Sequence, residues 1–166
     1  MSALNLTSEL VFNKRTLDKA CYVGPGYALD YREFDRAVRR QAAQMLREGV
    51  APGERIVIGL DDSPNLAVIF FASLAIGALP AVVNSRLDAD SLRQILLDAE
   101  PVALYGEPAQ STAVRQALHG MSAAPKVFLP ESDWFRALLA ARDGDDHWND
   151  VVALADDAPA LIQYTS

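Results

Sequence analysis

Three hydroxyls stand together at Tyr164-Thr165-Ser166, directly after the apolar run Ala160–Ile162. Hydroxyls that follow a buried strand occupy the place where an α/β sheet presents its ligand-binding loops, the carboxyl ends of its strands. Such a cluster can hydrogen-bond a ligand, but read alone it is a weak signal, and most such pairs simply cap a turn. Other sets are weaker. Gly24-Pro25-Gly26 imitates the opening of a dinucleotide fingerprint, but Leu29 holds the third glycine position and a second strand-like piece follows, so a hairpin turn is expected. Asp143, Asp145, Asp146 and Asp150 imitate a calcium loop; Trp148 stands where that loop needs glycine and Leu154 where it needs glutamate, which leaves a solvated loop. His119 and His147 have no Cys or second His at ligand spacing, and no carboxylate–His–nucleophile set is visible. Cys21 falls in a predicted strand and reads as a small core residue, without the positive neighbourhood of a reactive thiol.

The elements that would position these residues alternate strand with helix. "ACYVGPGYALDY" predicts two short strands around Gly24-Pro25-Gly26. Asp30 with Glu33 forms a capping-box pattern that starts a helix on Tyr31. Phe34, Val38, Ala42 and Met45 line one face of that helix, Arg36, Arg39, Arg40 and Arg47 take the others, and Gly49 closes it. "RIVIGL" reads as a strand covered on both faces, and Ser63-Pro64 starts a deeply buried helix that runs to about Ile76. The strands "LPAVVN", "PVALYG" and "KVFLP" alternate with helices over "DADSLRQILLDA", Ser111–Leu118 and Ser132–Ala141. An acidic, turn-rich stretch, "ARDGDDHWNDVVALADDAP", reads as a surface connection to a last strand over Ala160–Tyr164. The expected fold class is α/β, a mainly parallel sheet flanked by helices, with an amino-terminal β-hairpin.

Composition narrows the function classes. The chain has 166 residues, 51% of them hydrophobic, ample for a core. Its net charge of -7 argues against a nucleic-acid backbone or an anionic membrane as partner. A lone cysteine, and a start without the charged, apolar pattern of a signal peptide, point to the cytoplasm. Leu66–Val83 is apolar enough to raise a transmembrane helix, but Gly77 and Pro80 divide it, so a buried helix followed by a buried strand is expected and no transmembrane segment.

"DDAPALIQYTS" resembles the lead-in to the signature loop of the adenylate-forming enzymes, which comprise acyl- and aryl-CoA ligases, luciferases and peptide-synthetase adenylation domains. Their loop is a Thr-Ser-Gly-Thr-Thr-Gly-x-Pro-Lys type run that grips ATP phosphates. Tyr27–Tyr105 is similar throughout to the amino-terminal segment of that superfamily, in Tyr27–Tyr31, Leu46–Val50, Pro52–Val57, Asp62–Pro64, Gly77-Ala78 and Pro80–Leu87. Two departures stand out: Asp61-Asp62 replaces the usual Pro-Asn before Ser-Pro, and Ser85 replaces the Pro after Asn84.

The resemblance implies that residues 1–166 are a partial amino-terminal domain of a larger ligase, cut within its phosphate loop, with Thr165 and Ser166 as its first two phosphate-binding hydroxyls and no catalytic residue or metal ligand of its own. It further implies ATP with Mg2+, a small carboxylic acid and coenzyme A as the participants of the parent enzyme. The alternatives are an adenylation module or acyl-AMP ligase serving a carrier protein, and a non-catalytic interaction module that keeps the scaffold. A cut at this point is expected to leave Ala160–Tyr164 without neighbouring strands and to favour self-association.

Overall fold

The computed structural model describes residues 5–13, 16–24, 27–130, 134, 138, 140, 148, 150–155 and 157–164. Asp30 opens the first long helix: its carboxylate accepts the Glu33 N–H at 2.8 Å, and the Glu33 carboxylate accepts the Asp30 N–H at 3.2 Å, closing the expected capping box. This helix, α1 (Tyr31–Arg47), buries Phe34, Val38, Ala42 and Met45. Gly49 then turns the chain at φ 89°, a conformation that costs glycine little. Ahead of α1 lie a π-helical turn over Ser8–Phe12 and an antiparallel hairpin of β1 (Ala20–Gly24) and β2 (Tyr27–Asp30). Pro25 and Gly26 at the hairpin tip fall outside the described residues.

Arg40 departs from the expected pattern of α1. It was expected on an outer face but is 3% exposed, and its guanidinium donates to the Leu138 carbonyl. The reason is tertiary. Trp134 and Leu138 pack against the same core as α1, so the covered stripe of the helix is wider than its apolar residues. Of the helix expected over Ser132–Ala141, the described residues are Trp134, Leu138 and Ala140, all helical.

Five strands form one sheet: β3 (Arg55–Gly59), β4 (Leu79–Val82), β5 (Ala103–Gly106), β6 (Lys126–Phe128) and β7 (Ile162–Gln163). Their order is β6-β5-β3-β4-β7, and every pairing is parallel. The expected α/β architecture, with its parallel sheet and hairpin, is therefore the architecture observed. β3 is central, and Ile56, Val57 and Ile58 are fully buried, each stabilising the fold by about 1.5–3 kcal/mol.

Helices cover both faces. α2 (Pro64–Ala75) starts on Ser63, whose hydroxyl accepts the Leu66 N–H, and packs with α1 over Ile56 and Ile58. α3 (Ala89–Ala99), capped by Asp88, and α4 (Ser111–Leu118), entered through a 3-10 turn at Pro108–Gln110, pack over Val57 and Leu104. Among the described residues no helix is long and apolar enough to cross a membrane.

One expectation for the carboxyl-terminal stretch is corrected. The acidic connection is, where described, exposed or half-buried, as a surface connection should be. It is nevertheless tied down: Trp148 packs against the core, and the Val152 N–H donates to the Ala75 carbonyl at 2.9 Å. Asn5 completes this tie, donating to the Leu74 carbonyl at 2.8 Å and the Val152 carbonyl at 2.9 Å. The carbonyls at the end of α2 need donor partners, and a buried helix end finds them in the chain rather than in water. The correction concerns the last strand, which is shorter than Ala160–Tyr164 and has a neighbour, since Ile162 and Gln163 pair with Ala81 and Val82 of β4.

Candidate functional site at the carboxyl edge of the sheet

Because all five strands run parallel, their carboxyl ends share one edge. β3 leads into α2 on one face, whereas its neighbour β5 leads into α4 on the other. Adjacent strands whose helices leave on opposite faces open a crevice at their carboxyl ends, where α/β sheets bind ligands. At this point Gly59 pairs with Gly106, two residues with no side chain to fill the gap. A pocket of about 20 Å³, room for roughly one water molecule, lies here between Gly59, Gly106, Asn84, Ser85 and Gln110.

The rim of this crevice is acidic. The Asp61 N–H donates to Glu107 Oε1 at 2.9 Å, the Ser85 hydroxyl donates to Asp61 Oδ1, and the Tyr22 hydroxyl donates to Asp62 Oδ1 at 3.3 Å. The two departures from the ligase pattern, Asp61 and Ser85, are thus partners of one another. Asp61, Asp62 and Glu107 follow the strands that border the crevice and give this part of the edge three carboxylates, with Arg86 beside Ser85.

The hydroxyl cluster belongs to the next part of the same edge. β7 runs beside β4, and Tyr164 follows it where Val83 and Asn84 follow β4. The Tyr164 ring packs against the α3/α4 core and its hydroxyl donates to Asp98 Oδ2 at 2.8 Å. Partial burial of the ring, followed by the Asp98 carboxylate, pushes the phenol up to about 12. Thr165 and Ser166 lie outside the described residues.

The remaining sequence candidates do not gather here. Cys21 is half-buried and its thiol is pushed up, mainly by burial, while Sγ donates to the Asp30 carbonyl at 3.4 Å. His119 is exposed at the end of α4, where its carbonyl accepts from Arg93 at 2.8 Å. Asp143, Asp145, Asp146 and His147 lie outside the described residues, and Asp150 is exposed. Among the described residues no group of three or more His, Cys, Asp or Glu is placed to hold a metal ion, so they offer Mg2+ no ligand set. Asp98, Glu107 and the Gly59–Gly106 pair were not anticipated. The only advance signal was the departure at Asp61 and Ser85.

Fold and edge define the class: a parallel α/β sheet, covered on both faces, that presents its loops at the carboxyl ends of the strands. The chain belongs to the AMP-binding enzyme family, whose model matches residues 11–166. It is 30% identical over 167 aligned residues to an anthranilate–CoA ligase from Pseudomonas aeruginosa, covering all of this chain and 32% of that protein. It is 35% identical over 77 residues, 46% of the chain and 14% of the relative, to an L-proline–[L-prolyl-carrier protein] ligase from Streptomyces coelicolor. Among solved structures it resembles a benzoate CoA ligase from Burkholderia xenovorans, with a TM-score of 0.81 and 26% identity over 95% of this chain and 32% of that one. The chain thus spans about a third of the length of relatives that match it along its length.

Proposed function

We propose that residues 1–166 are the amino-terminal part of an ATP-dependent ligase that activates a carboxylic acid and transfers it to coenzyme A. The observation that carries this is the family match over residues 11–166, joined to whole-chain similarity with an anthranilate–CoA ligase. The same relative and the benzoate CoA ligase favour an aromatic acid over a fatty one. In this reading a carboxylate oxygen attacks the α-phosphorus of ATP and pyrophosphate leaves. The thiol of coenzyme A then attacks the acyl carbon and AMP departs. Thr165 and Ser166 follow β7 in the sequence and donate to phosphate oxygens in this reading. Backbone N–H and hydroxyl donors suit a phosphate because they surround its charge without fixed side-chain geometry. The groups that contact adenine, ribose, Mg2+ and the acyl moiety are supplied by other sequence, so this stretch by itself is inactive. A cytoplasmic setting fits its single, unpaired cysteine. Taken alone, the chain self-associates through the outer edge of β7.

A carrier-protein thiol as acceptor is the second reading, favoured by the similarity to the prolyl-carrier-protein ligase. A non-catalytic interaction module is the third. Carboxylate-dependent ATP–pyrophosphate exchange by the full-length gene product, over a panel of aromatic and fatty acids, tests activation. Adding coenzyme A or a carrier protein then separates the first two readings. Absence of exchange with every acid, together with a stop codon directly after Ser166, would leave the module.

A further inference from the structure

We propose that the outer face of α2, together with the strip of sheet beside it, is an interaction surface whose occupant is the sequence beyond Ser166 in the same polypeptide. The inference rests on the proposed reading of this chain as one part of a longer ligase.

None of the side chains of α2 is charged. A helix that is apolar all round requires cover all round, and α2 has it only in part. Val68, Ile69 and Ala72 are fully buried in the core that includes Ile56 and Ile58 of β3. Phe71 meets Phe34 of α1 edge to face, with ring centroids 5.8 Å apart. Phe70 lies about 100° round the helix from Phe71, and Leu66 stands one turn before Phe70, so the two share the face turned away from both the sheet and α1. Both are only half-buried.

The sheet beside α2 extends this face. Ala81 and Ile162 pack into the α3/α4 core, so their neighbours Val82 and Leu161 project to the side of α2, where they are 38% and 49% exposed. Leu6 adds to it at the other end of the helix. It stands between Asn5 and Thr7, which donate to the Leu74 and Phe71 carbonyls of α2, and it is exposed. Large apolar side chains gathered on one side of a fold mark an interaction surface.

A membrane does not fit this face, because neither α2 nor the Asp61-Asp62-Ser63 before it offers the Lys or Arg with which an interfacial helix holds lipid headgroups. The rest of the polypeptide fits better. The chain spans 32% of the anthranilate–CoA ligase to which it is similar, and its last strand, β7, both carries the strip's Leu161 neighbour and stands at the end of the sheet order. In the ligase reading, sequence that follows β7 starts beside the face it covers, and consecutive elements usually pack as neighbours.

The test uses the full-length gene product, with the photo-crosslinking amino acid p-benzoylphenylalanine replacing Phe70 or Leu161. Mass spectrometry of the crosslinked peptides should join these positions to sequence beyond Ser166 within one chain. Val82→Cys and Leu161→Cys give a second readout, because replacing side chains at the surface of this stretch leaves its core intact. Both cysteines should react with a maleimide at least about tenfold slower in the native protein than in urea. Absence of an intrachain crosslink at both positions, or native labelling at the urea rate, overturns the proposal; crosslinks confined to two copies assign the face to a dimer and overturn it too. A reading frame that stops directly after Ser166 removes the occupant and the ligase reading together. A full-length product that catalyses carboxylate-dependent ATP–pyrophosphate exchange while leaving this face open defeats the interaction surface alone.

Discussion

Gln41 of α1 and Tyr105 of β5 meet across the core, the amide Nε2 donating to the phenol oxygen at 3.0 Å. Both side chains are buried, Tyr105 also stacks on Phe128 with ring centroids 4.8 Å apart, and Gln41 Oε1 has no partner. Burial holds the Tyr105 phenol well above the usual range, so it stays neutral. The pair is half-satisfied, and such pairs respond asymmetrically to mutation. Tyr105→Phe keeps the ring stack but strands the amide, and should lower stability by about 1–3 kcal/mol in urea unfolding. Adding Gln41→Met removes the stranded group and should recover much of that loss. A neutral Tyr105→Phe would mean that the Gln41 amide is not desolvated.

Gly77 turns the chain out of α2 at φ 74°, and a Cβ placed on it would lie 2.9 Å from Val152 Cγ1 and 3.3 Å from Pro52 Cβ. Gly77→Ala should therefore cost more than the roughly 1–2 kcal/mol of left-handed strain alone, because two neighbours must also shift. Thermal unfolding would show the loss. Val152→Ala in the same chain should return the part due to the clash and leave the part due to strain.

The Tyr164 phenol is raised from its ordinary 10.0 to about 12 in the folded chain. The folded value lies above the unfolded one, so its contribution is fully present below pH about 10 and is lost as the pH rises through about 12. Protection of the Gln163 amide should fall over that window. Tyr164→Phe should show no such fall, which separates Tyr164 from Tyr105. A parent chain with pH-independent protection there would contradict the assignment.

The outer edge of β7 presents backbone groups with no strand beyond them in the sheet order, beside exposed Leu161 and Val82. Sedimentation of the 166-residue chain should show more self-association than its net charge of -7 favours, and removal of the residues after Asp157 should reduce it. Monomers in both cases would count against edge pairing.

What could be read in advance was local or periodic. Asp30 and Glu33 sit three residues apart and the apolar spacing of α1 repeats every turn, so a cap and a buried face follow from neighbours in sequence. The alternation of apolar runs with helices likewise carried the parallel sheet. Strand order, Arg40 beside Leu138, and Tyr164 beside Asp98 depend on packing between distant segments, which no periodicity encodes. The candidate site was legible only as a place, the carboxyl end of a last strand. Asp98, the partner of Tyr164, lies on α3, and the acidic rim nearby showed in the sequence only as two unexplained departures, Asp61 and Ser85.

Asn5 donates to carbonyls at Leu74 and Val152, 69 and 147 residues away. During synthesis the first of these partners emerges well before the second. The sheet core from β3 to β5 can assemble while Asn5 holds only the end of α2, and the beginning of the chain is sealed in place once Val152 has left the ribosome. Amino-terminal tags or deletions that disturb Asn5 should therefore act late, slowing the final closure of the domain while leaving the early assembly of its sheet intact.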